Sequence, residues 1–232
     1  NLVAGGYDPR VAIIRLNGME TEWGRDDLAA MMEIGPRAIL LPKVESGDDV
    51  AQVAALLDAH PACAETRIWA MMETPGAILN ALSIARAPRM EGFIIGTNDL
   101  AKDLGCRYTP DRLPLQMSLQ TCLLAAKAAG ILCIDGVYNA FKDDDGLLAE
   151  CEQGRDLGMD GKTLIHPAQI EIANTAFAPA EAEIDLARRQ ITAFEDAEAK
   201  GLGVAVVDGK IVENLHIVTA RQILAKSEAI AA

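Results

Sequence analysis

Short apolar runs alternate along this chain with longer stretches in which apolar residues recur at helical spacing. This alternation is typical of β-α-β units, in which each strand is followed by a helix that returns the chain to the same edge of a sheet. It predicts a parallel α/β sheet. The predicted strands are 11–18, 38–45, 67–74, 92–99, 131–138 and 162–167.

Helices are predicted in the gaps, at about 25–34, 47–59, 76–86, 112–129 and 144–157. Ser46-Gly-Asp-Asp is a start signal for the second of these helices, and Gly130 is a stop signal for the fourth. After Pro167 the pattern changes. A charged helix near 180–200 precedes two β-like runs around Asp208-Gly209, a hairpin signal, and a last helix follows from about 215.

The six predicted strands suit part of a barrel. No Gly-rich phosphate fingerprint follows any strand, which disfavours an open nucleotide-binding sheet, whereas a (β/α)8 TIM barrel needs eight strands. The sequence also starts abruptly, without Met. We therefore expect a TIM barrel of which this chain supplies strands three to eight, its first two βα units missing. The expected division is a catalytic barrel over 1–175 and a hairpin-and-helix lid over 176–232.

Composition excludes several classes of partner. A net charge of −13 argues against nucleic acid and anionic membrane surfaces. The five cysteines have no CxxC spacing, which indicates reduced, buried thiols of an intracellular protein. No apolar run reaches the roughly 18 residues of a transmembrane helix, and the N-terminus lacks signal-peptide character. We expect a soluble, cytoplasmic protein.

Each predicted strand ends in polar or charged residues. Because chemistry in barrels of this type gathers at the carboxyl ends of the strands, these side chains are expected to converge on one face. In chain order they are Arg15 and Asn17, Lys43 and Glu45, Glu73 and Thr74, Asn98 and Asp99, Asp135, and His166.

Glu73 and Asp99 are the candidate metal ligands. Either one could instead cap the helix that follows it, since Asp in particular is common at helix N-termini. Both lie just beyond a strand, so both carboxylates would point into the same opening. Mg²⁺ usually takes one or two carboxylates and completes its octahedron with water and substrate, and we favour that interpretation.

Other strand-end residues leave two interpretations open. Arg15 follows an Ile-Ile run and either pairs with Glu45 or Glu73 or binds an anionic substrate oxygen. Lys43 and Glu45 are expected to pair with each other. Asp135 precedes a glycine and is either a turn former or an acid that supports the site from behind.

With these strand ends, the chain resembles the citrate lyase beta-subunit-like family of CoA-ester lyases, related to the HpcH/HpaI aldolases. The resemblance covers nearly the whole chain and keeps the family's order and spacing. The matching segments are RLNGMETEWGRDDL, LLPKVES, METPGAILN, GTNDLAKDLG, CIDGVYNAF, GKTLIHPAQI and DGKIVENLH.

The resemblance implies roles for individual residues. It implies that Glu73 and Asp99 bind Mg²⁺, that Arg15 contacts the substrate, and that Ile165 and His166 line the acyl-CoA channel. From the residues alone, His166 could equally hold its own loop. Members of the family form trimers or hexamers in which the C-terminal hairpin and helix of one subunit close the site of a neighbour.

The chain departs from the family pattern at two positions. Asn98 stands where the family usually has Glu before the metal-binding Asp; we place it among the substrate-binding residues. Glu213 stands where the lid usually carries a catalytic Asp, and its side chain is one methylene longer. Such a change could separate a carbon–carbon lyase from a thioesterase.

The function expected first is that of a Mg²⁺-dependent lyase that cleaves a malyl-, citramalyl- or citryl-CoA type of 3-hydroxyacyl-CoA into a 2-oxo acid and acetyl-CoA or propionyl-CoA. Arg15 would stabilise the enolate oxygen, and Glu213 from a neighbouring subunit would exchange the proton at the enolate carbon. One alternative is a (3S)-malyl-CoA thioesterase that uses the same site. Another is a non-catalytic acyl-CoA-binding subunit.

Overall fold

A computed structural model describes residues 6–7 and 9–231 of the chain. Six strands form one parallel sheet in the order β1-β2-β3-β4-β5-β6, which curls into a half-barrel. This confirms the predicted parallel α/β architecture. The strands are β1 Ile13–Arg15, β2 Ala38–Leu41, β3 Arg67–Met72, β4 Met90–Ile95, β5 Leu132–Asp135 and β6 Gly161–Lys162.

Helices follow these strands as the periodicity predicts. Ser46 caps the second helix through a capping box with Asp49, and Gly130 ends the sixth in a left-handed conformation, so both predicted signals are confirmed. The helices up to the end of the sheet are α1 Gly24–Ile34, α2 Gly47–Asp58, α3 Pro75–Leu79, α4 Ala81–Ala85, α5 Thr97–Leu104, α6 Gln116–Ala129 and α7 Asp144–Leu157.

The structure differs from the sequence prediction at several boundaries. The strands are shorter than predicted, because polar residues such as Lys43, Glu73 and Asn98 lie beyond the strand ladder, although Arg15 and Asp135 end β1 and β5. The last strand was predicted at 162–167, but β6 is only Gly161–Lys162. The helix predicted at 76–86 is divided at Asn80, and the one predicted at 112–129 begins at Gln116, after a 3₁₀ turn at Leu113–Leu115. Helices α5 and α8 Gln169–Phe177 were not predicted.

The interior of the half-barrel contains a small apolar cluster around Trp69. Ala38 and Leu40 of β2 contact Trp69, and four partly buried side chains pack against them. A side chain at Gly92 would overlap the Trp69 ring, so this glycine allows the close approach. The four packed residues are Ile13, Met71, Ile94 and Ile134.

The chain divides into two compact units, with the boundary between Ala173 and Asn174. The second unit contains α9 Glu181–Ala199, the antiparallel strands β7 Ala205–Val207 and β8 Lys210–Val212, and α10 Asn214–Ala231. Asp208 and Gly209 both have positive φ, 50° and 74°, as a two-residue hairpin turn requires. The predicted hairpin is therefore confirmed.

None of the helices within residues 6–7 and 9–231 combines the length and the apolar character that crossing a bilayer requires. Four of the five cysteines are buried and Cys106 is partly exposed, and all five are free thiols. Burial raises the pKa of Cys133 to about 12 and that of Cys151 to about 11. These properties agree with the expected reduced, buried thiols.

Candidate active site

The carboxyl ends of β1 to β4 bring together a group of charged side chains from four separate segments. Arg15 is the last residue of β1, Lys43 lies two residues after β2, and Glu73 directly follows β3. Asp99 lies in the first turn of α5, close after β4. Parallel strands in register place these ends at one edge of the sheet, where α/β proteins commonly bind ligands.

Neither candidate carboxylate is a helix cap. Thr74 caps α3 by accepting a hydrogen bond from the Ala77 N–H, which leaves the adjacent Glu73 free of that task. Gly96 occupies the N-cap position of α5, so Asp99 is the third residue of that helix. A side chain at Gly96 would collide with Glu73, so the glycine makes room for this carboxylate.

Lys43 connects the two carboxylates. Its backbone N–H donates a 2.9 Å hydrogen bond to Glu73 Oε1, and its Nζ donates a 2.8 Å bond to Asp99 Oδ1. The same Nζ lies 3.9 Å from Glu73 Oε1. The expected Lys43–Glu45 pair is wrong, because the ammonium turns toward the next strands rather than along its own segment.

The pKa values of the two carboxylates in this group are shifted in opposite directions. Burial raises the pKa of Glu73, against the opposing effects of the Lys43 hydrogen bond and charge. The hydrogen bond from Lys43 lowers the pKa of Asp99, and a hydrogen bond with Glu73 acts in the same direction. Burial lowers the pKa of Lys43, but the bond to Asp99 and the two negative charges outweigh it, so the pKa is raised.

Arg15 lies near this group without pairing. Its side chain is exposed, and its charge contributes to lowering the pKa of Glu73. Within the described part of the chain Arg15 makes no ion pair, so the structural pair with Glu45 or Glu73 is not formed. The guanidinium is accessible to an anion.

Asn98 belongs to a polar network with Asn139 and Tyr108. Its amide and that of Asn139 exchange two hydrogen bonds, of 3.1 and 2.7 Å. Tyr108 Oη donates a 3.0 Å bond to Asn98 Oδ1. The network ties the loop after β5 to the start of α5. Sequence reasoning missed Asn139 and Tyr108, which are 41 and 10 residues from Asn98.

The segment after β6 carries the two residues expected at an acyl-CoA channel. Ile165 is 53% exposed, and His166 stacks on Phe141 with ring centroids 4.9 Å apart. His166 Nδ1 accepts a hydrogen bond from the Ala168 N–H, which holds the local turn. The His166–Phe141 stack joins the loops after β5 and β6. Phe141 ends the matching segment CIDGVYNAF, but no role was predicted for it from the sequence.

A buried ionic network lies at the end of β5. Asp135 is fully buried and accepts two hydrogen bonds, of 2.7 and 2.8 Å, from Arg112 Nη1. The backbone of Arg112 has a positive φ of 50°. Lys162 Nζ reaches both Asp135, at 3.2 Å, and Glu150, at 2.6 Å. Asp135 is thus an acid held behind the strand ends rather than a simple turn former. Its partners Arg112, Glu150 and Lys162 lie 15 or more residues away along the chain and carry no local motif.

Glu213, the expected proton donor or acceptor, belongs to the second unit. It directly follows β8, its side chain is exposed, and its backbone N–H donates a 3.0 Å hydrogen bond to His216 Nδ1. Its catalytic role remains a prediction.

The donor set at Glu73 and Asp99 fits a hard divalent cation. Two carboxylates from different strand ends lie close enough to share one ammonium, which occupies a cation position between them. Within residues 6–7 and 9–231 no cluster of three or more His, Cys, Asp or Glu side chains has metal-binding geometry. A two-carboxylate site of this type suits Mg²⁺, whose remaining ligands are water and substrate.

Two groups of known proteins are similar to this chain in sequence. A (3S)-malyl-CoA thioesterase of Cereibacter sphaeroides (strain ATCC 17023) is 63% identical over 231 residues, which cover 100% of this chain and 79% of the relative. Citrate lyase subunit beta of Escherichia coli (strain K12) is 35% identical over 222 residues, 93% of this chain and 74% of the relative.

A solved structure is also similar. CitE from Mycobacterium tuberculosis, in complex with magnesium, acetoacetate and coenzyme A, superposes with a TM-score of 0.78 at 27% identity. The match covers 93% of this chain and 78% of CitE. Residues 5–167 match the family described as HpcH/HpaI aldolase/citrate lyase. The chain therefore belongs to the HpcH/HpaI aldolase/citrate lyase family.

Proposed function

We propose that this protein hydrolyses a CoA thioester of the (3S)-malyl-CoA type at a Mg²⁺ site formed by Glu73 and Asp99. The observation that carries the proposal is the 63% identity, over the whole chain, to a protein named (3S)-malyl-CoA thioesterase. The paired carboxylates at the strand ends supply a suitable metal site beside a free guanidinium.

Glu73 and Asp99 would hold the cation and fix its position at the edge of the sheet. The bound ion would act as a Lewis acid and orient the carboxylate and hydroxyl of the acyl group. Arg15, which is exposed and unpaired within the described residues, would bind an oxygen of the substrate. Ile165 and His166 would line the path of the CoA arm, and Asn98 would border the acyl group.

In the hydrolytic step, the oxygen of water bonds to the thioester carbonyl carbon and the carbon–sulfur bond breaks. The CoA sulfur leaves as a thiolate, and the proton that water releases ends on that sulfur. Malate and free CoA are the products. Glu213 of a neighbouring subunit is the candidate that carries this proton.

The lyase is the second candidate, and the resemblance to citrate lyase subunit beta favours it. The same residues would then hold the acyl group while its hydroxyl loses a proton to solvent and its carbon–carbon bond breaks. The electron pair of that bond would pass to the acetyl-CoA fragment, giving glyoxylate and the enolate of acetyl-CoA. Arg15 would stabilise the enolate oxygen, and Glu213 would supply the proton to the enolate carbon.

We further infer an eight-stranded barrel and a homotrimer or homohexamer. The half-barrel sheet has β1 and β6 as open edges among the described residues, and two more strands between them would close it. In the oligomer the hairpin and α10 of one subunit would cover the site of its neighbour.

The test is to incubate the protein with (3S)-malyl-CoA and Mg²⁺, and to measure free thiol and glyoxylate in the same sample. Free CoA with malate and no glyoxylate would support the thioesterase, and glyoxylate with acetyl-CoA would establish the lyase.

Glu73→Gln and Asp99→Asn should each lower turnover by about 10²-fold or more. Binding of malyl-CoA without any product would leave an acyl-CoA-binding subunit.

A further inference from the structure

Lys43 is not one of the two proposed metal ligands, but it has an unusual backbone conformation. Its φ is 51°, in the left-handed region that non-glycine residues seldom adopt. The backbone N–H that this conformation presents donates to Glu73 Oε1 at 2.9 Å. Such a backbone conformation persists where surrounding contacts compensate for its energetic cost. Here the compensating contact is the hydrogen bond to Glu73, a proposed metal ligand.

The Lys43 side chain makes the second contact. Its Nζ lies 2.8 Å from Asp99 Oδ1 and 3.9 Å from Glu73 Oε1, and the side chain is 36% exposed. The ammonium therefore occupies a position between the two carboxylates that a divalent cation bound to both would also occupy. It is also the group that offsets the repulsion between two adjacent carboxylates when no metal ion is bound.

We propose that Lys43 is a displaceable counter-cation, which holds Glu73 and Asp99 together in the metal-free protein, leaves Asp99 when Mg²⁺ binds, and then pairs with the anionic acyl group of the substrate. This inference rests on the proposed metal site. An ammonium and a divalent cation on one carboxylate oxygen would repel each other strongly at this separation. Mg²⁺ must therefore compete with Lys43, and the lysine sets the metal affinity.

The released side chain has space to move. Lys43 lines a cavity of about 870 Å³ beside the strand ends, between α1 and α2. A flexible four-carbon stem allows the ammonium to swing away from Asp99 while the Lys43 backbone remains bonded to Glu73. The lining of this cavity does not include Arg15 or Asp99. An ammonium that stayed at the strand ends instead of entering the cavity would add its positive charge to that of Arg15 opposite the acyl carboxylate.

Metal affinity is the direct readout. Mn²⁺ binding measured by electron paramagnetic resonance, and Mg²⁺ binding measured by calorimetry, should be about tenfold tighter in Lys43→Met than in the unchanged protein. Lys102→Met is the matched control. Lys102 of α5 also acts on Asp99 through its charge, and this substitution removes one positive charge, as Lys43→Met does. That variant should change the dissociation constant by about twofold or less, because surface charges are screened.

Substrate coupling is the second readout, with L-malate as the probe. Mg²⁺ should tighten malate binding in the unchanged protein, and this tightening should be about tenfold smaller in Lys43→Met. An equal enhancement of malate binding in both proteins would overturn the transfer of Lys43 to the substrate.

The outcomes separate this proposal from the metal site on which it rests. If neither the unchanged protein nor Lys43→Met binds Mn²⁺, the metal site and this proposal both fall. If Mn²⁺ binding depends on Glu73 and Asp99 but is unchanged or weaker in Lys43→Met, only this proposal falls.

A crystal structure of the unchanged protein with Mg²⁺ gives a test that needs no variant. Separation of Lys43 Nζ from Asp99 supports displacement, and a retained contact overturns it.

Discussion

At the scale of single residues, Glu73 illustrates how a binding site costs stability. Its side chain is almost entirely buried beneath the strand ends, and burial raises its pKa even though Lys43 donates to it. Burial of this type disfavours the charged form of an acid and so costs stability in the folded protein. A cation beside the carboxylate acts in the opposite direction, because it favours the charged form.

This preference predicts how stability depends on pH in metal-free buffer. Because the folded pKa of Glu73 is raised, its favourable contribution is present below the unfolded pKa and is lost as the pH rises through the folded pKa. Glu73→Gln resembles the protonated acid. It should match the parent near about pH 4 and be more stable than the parent near about pH 8, as measured by urea unfolding.

The control for this prediction is Glu22→Gln, which changes an exposed carboxylate and should shift stability by less than about 0.5 kcal/mol at either pH. A Glu73→Gln variant that is less stable than the parent near pH 8 would show that Lys43 more than compensates for burial.

At the scale of elements, the buried network after β5 joins parts that the sheet alone does not hold. Arg112 lies in the segment between α5 and α6, Asp135 ends β5, and Lys162 ends β6. The side chains of Asp135 and Lys162 are fully buried, and Arg112 is 5% exposed. Glu150 of α7 completes the network, so one connected group of charges holds a helix, two strands and a loop together.

Removal of Arg112 should therefore be costly. Arg112→Met removes two hydrogen bonds to the buried Asp135 and leaves Lys162 as its charged partner. We expect a loss of about 2–3 kcal/mol in the free energy of unfolding. Chemical denaturation followed by circular dichroism measures this loss.

The matched control is Lys127→Met. Lys127 pairs with Asp160 on a partly exposed surface, and Asp160 still accepts from the Cys133 N–H when the lysine is absent. That change should cost about 1 kcal/mol or less. Equal losses in the two variants would contradict the structural importance of the buried network.

At the scale of the whole molecule, the hairpin of the second unit presents an apolar face. Val206 and Ile211 are directly opposite each other across β7 and β8, and they are 63% and 60% exposed. The neighbouring pair, Ala205 and Val212, is buried. Exposed apolar pairs of this kind are typical of surfaces that another protein covers, and in the proposed oligomer that protein is a second copy of this chain.

The proposed oligomer is tested by a charge on that face. Ile211→Asp should shift the mass measured by size-exclusion chromatography with light scattering from an oligomer toward a single chain, because burial of an unpaired carboxylate is strongly unfavourable. Lys210→Asp introduces the same residue at the adjacent exposed position of β8 and should retain the parent's mass. An unchanged oligomer in Ile211→Asp would remove the hairpin from the interface.

Much of the fold was determined by local patterns in the sequence. The apolar runs and helical periodicity were sufficient for the order of the strands and of most helices, since each pattern reports which face of one element is buried. Helices α5 and α8 were not predicted. Capping and turn residues such as Ser46, Gly130 and Asp208 marked ends correctly because their backbone requirements are local. Polar residues after the strands were likewise sufficient to indicate the edge at which Arg15, Lys43, Glu73 and Asp99 form the candidate site.

Only the tertiary structure decided which of those side chains meet. Lys43 contacts Asp99, 56 residues away, rather than its near neighbour Glu45, and Asp135 meets Arg112 and Lys162 in the interior. The physical reason is that these contacts depend on strand order, register and the curl of the sheet, which together set distances between segments remote in sequence. A period of two or 3.6 residues contains no information about those distances, so the ion pairs at the site follow from packing alone.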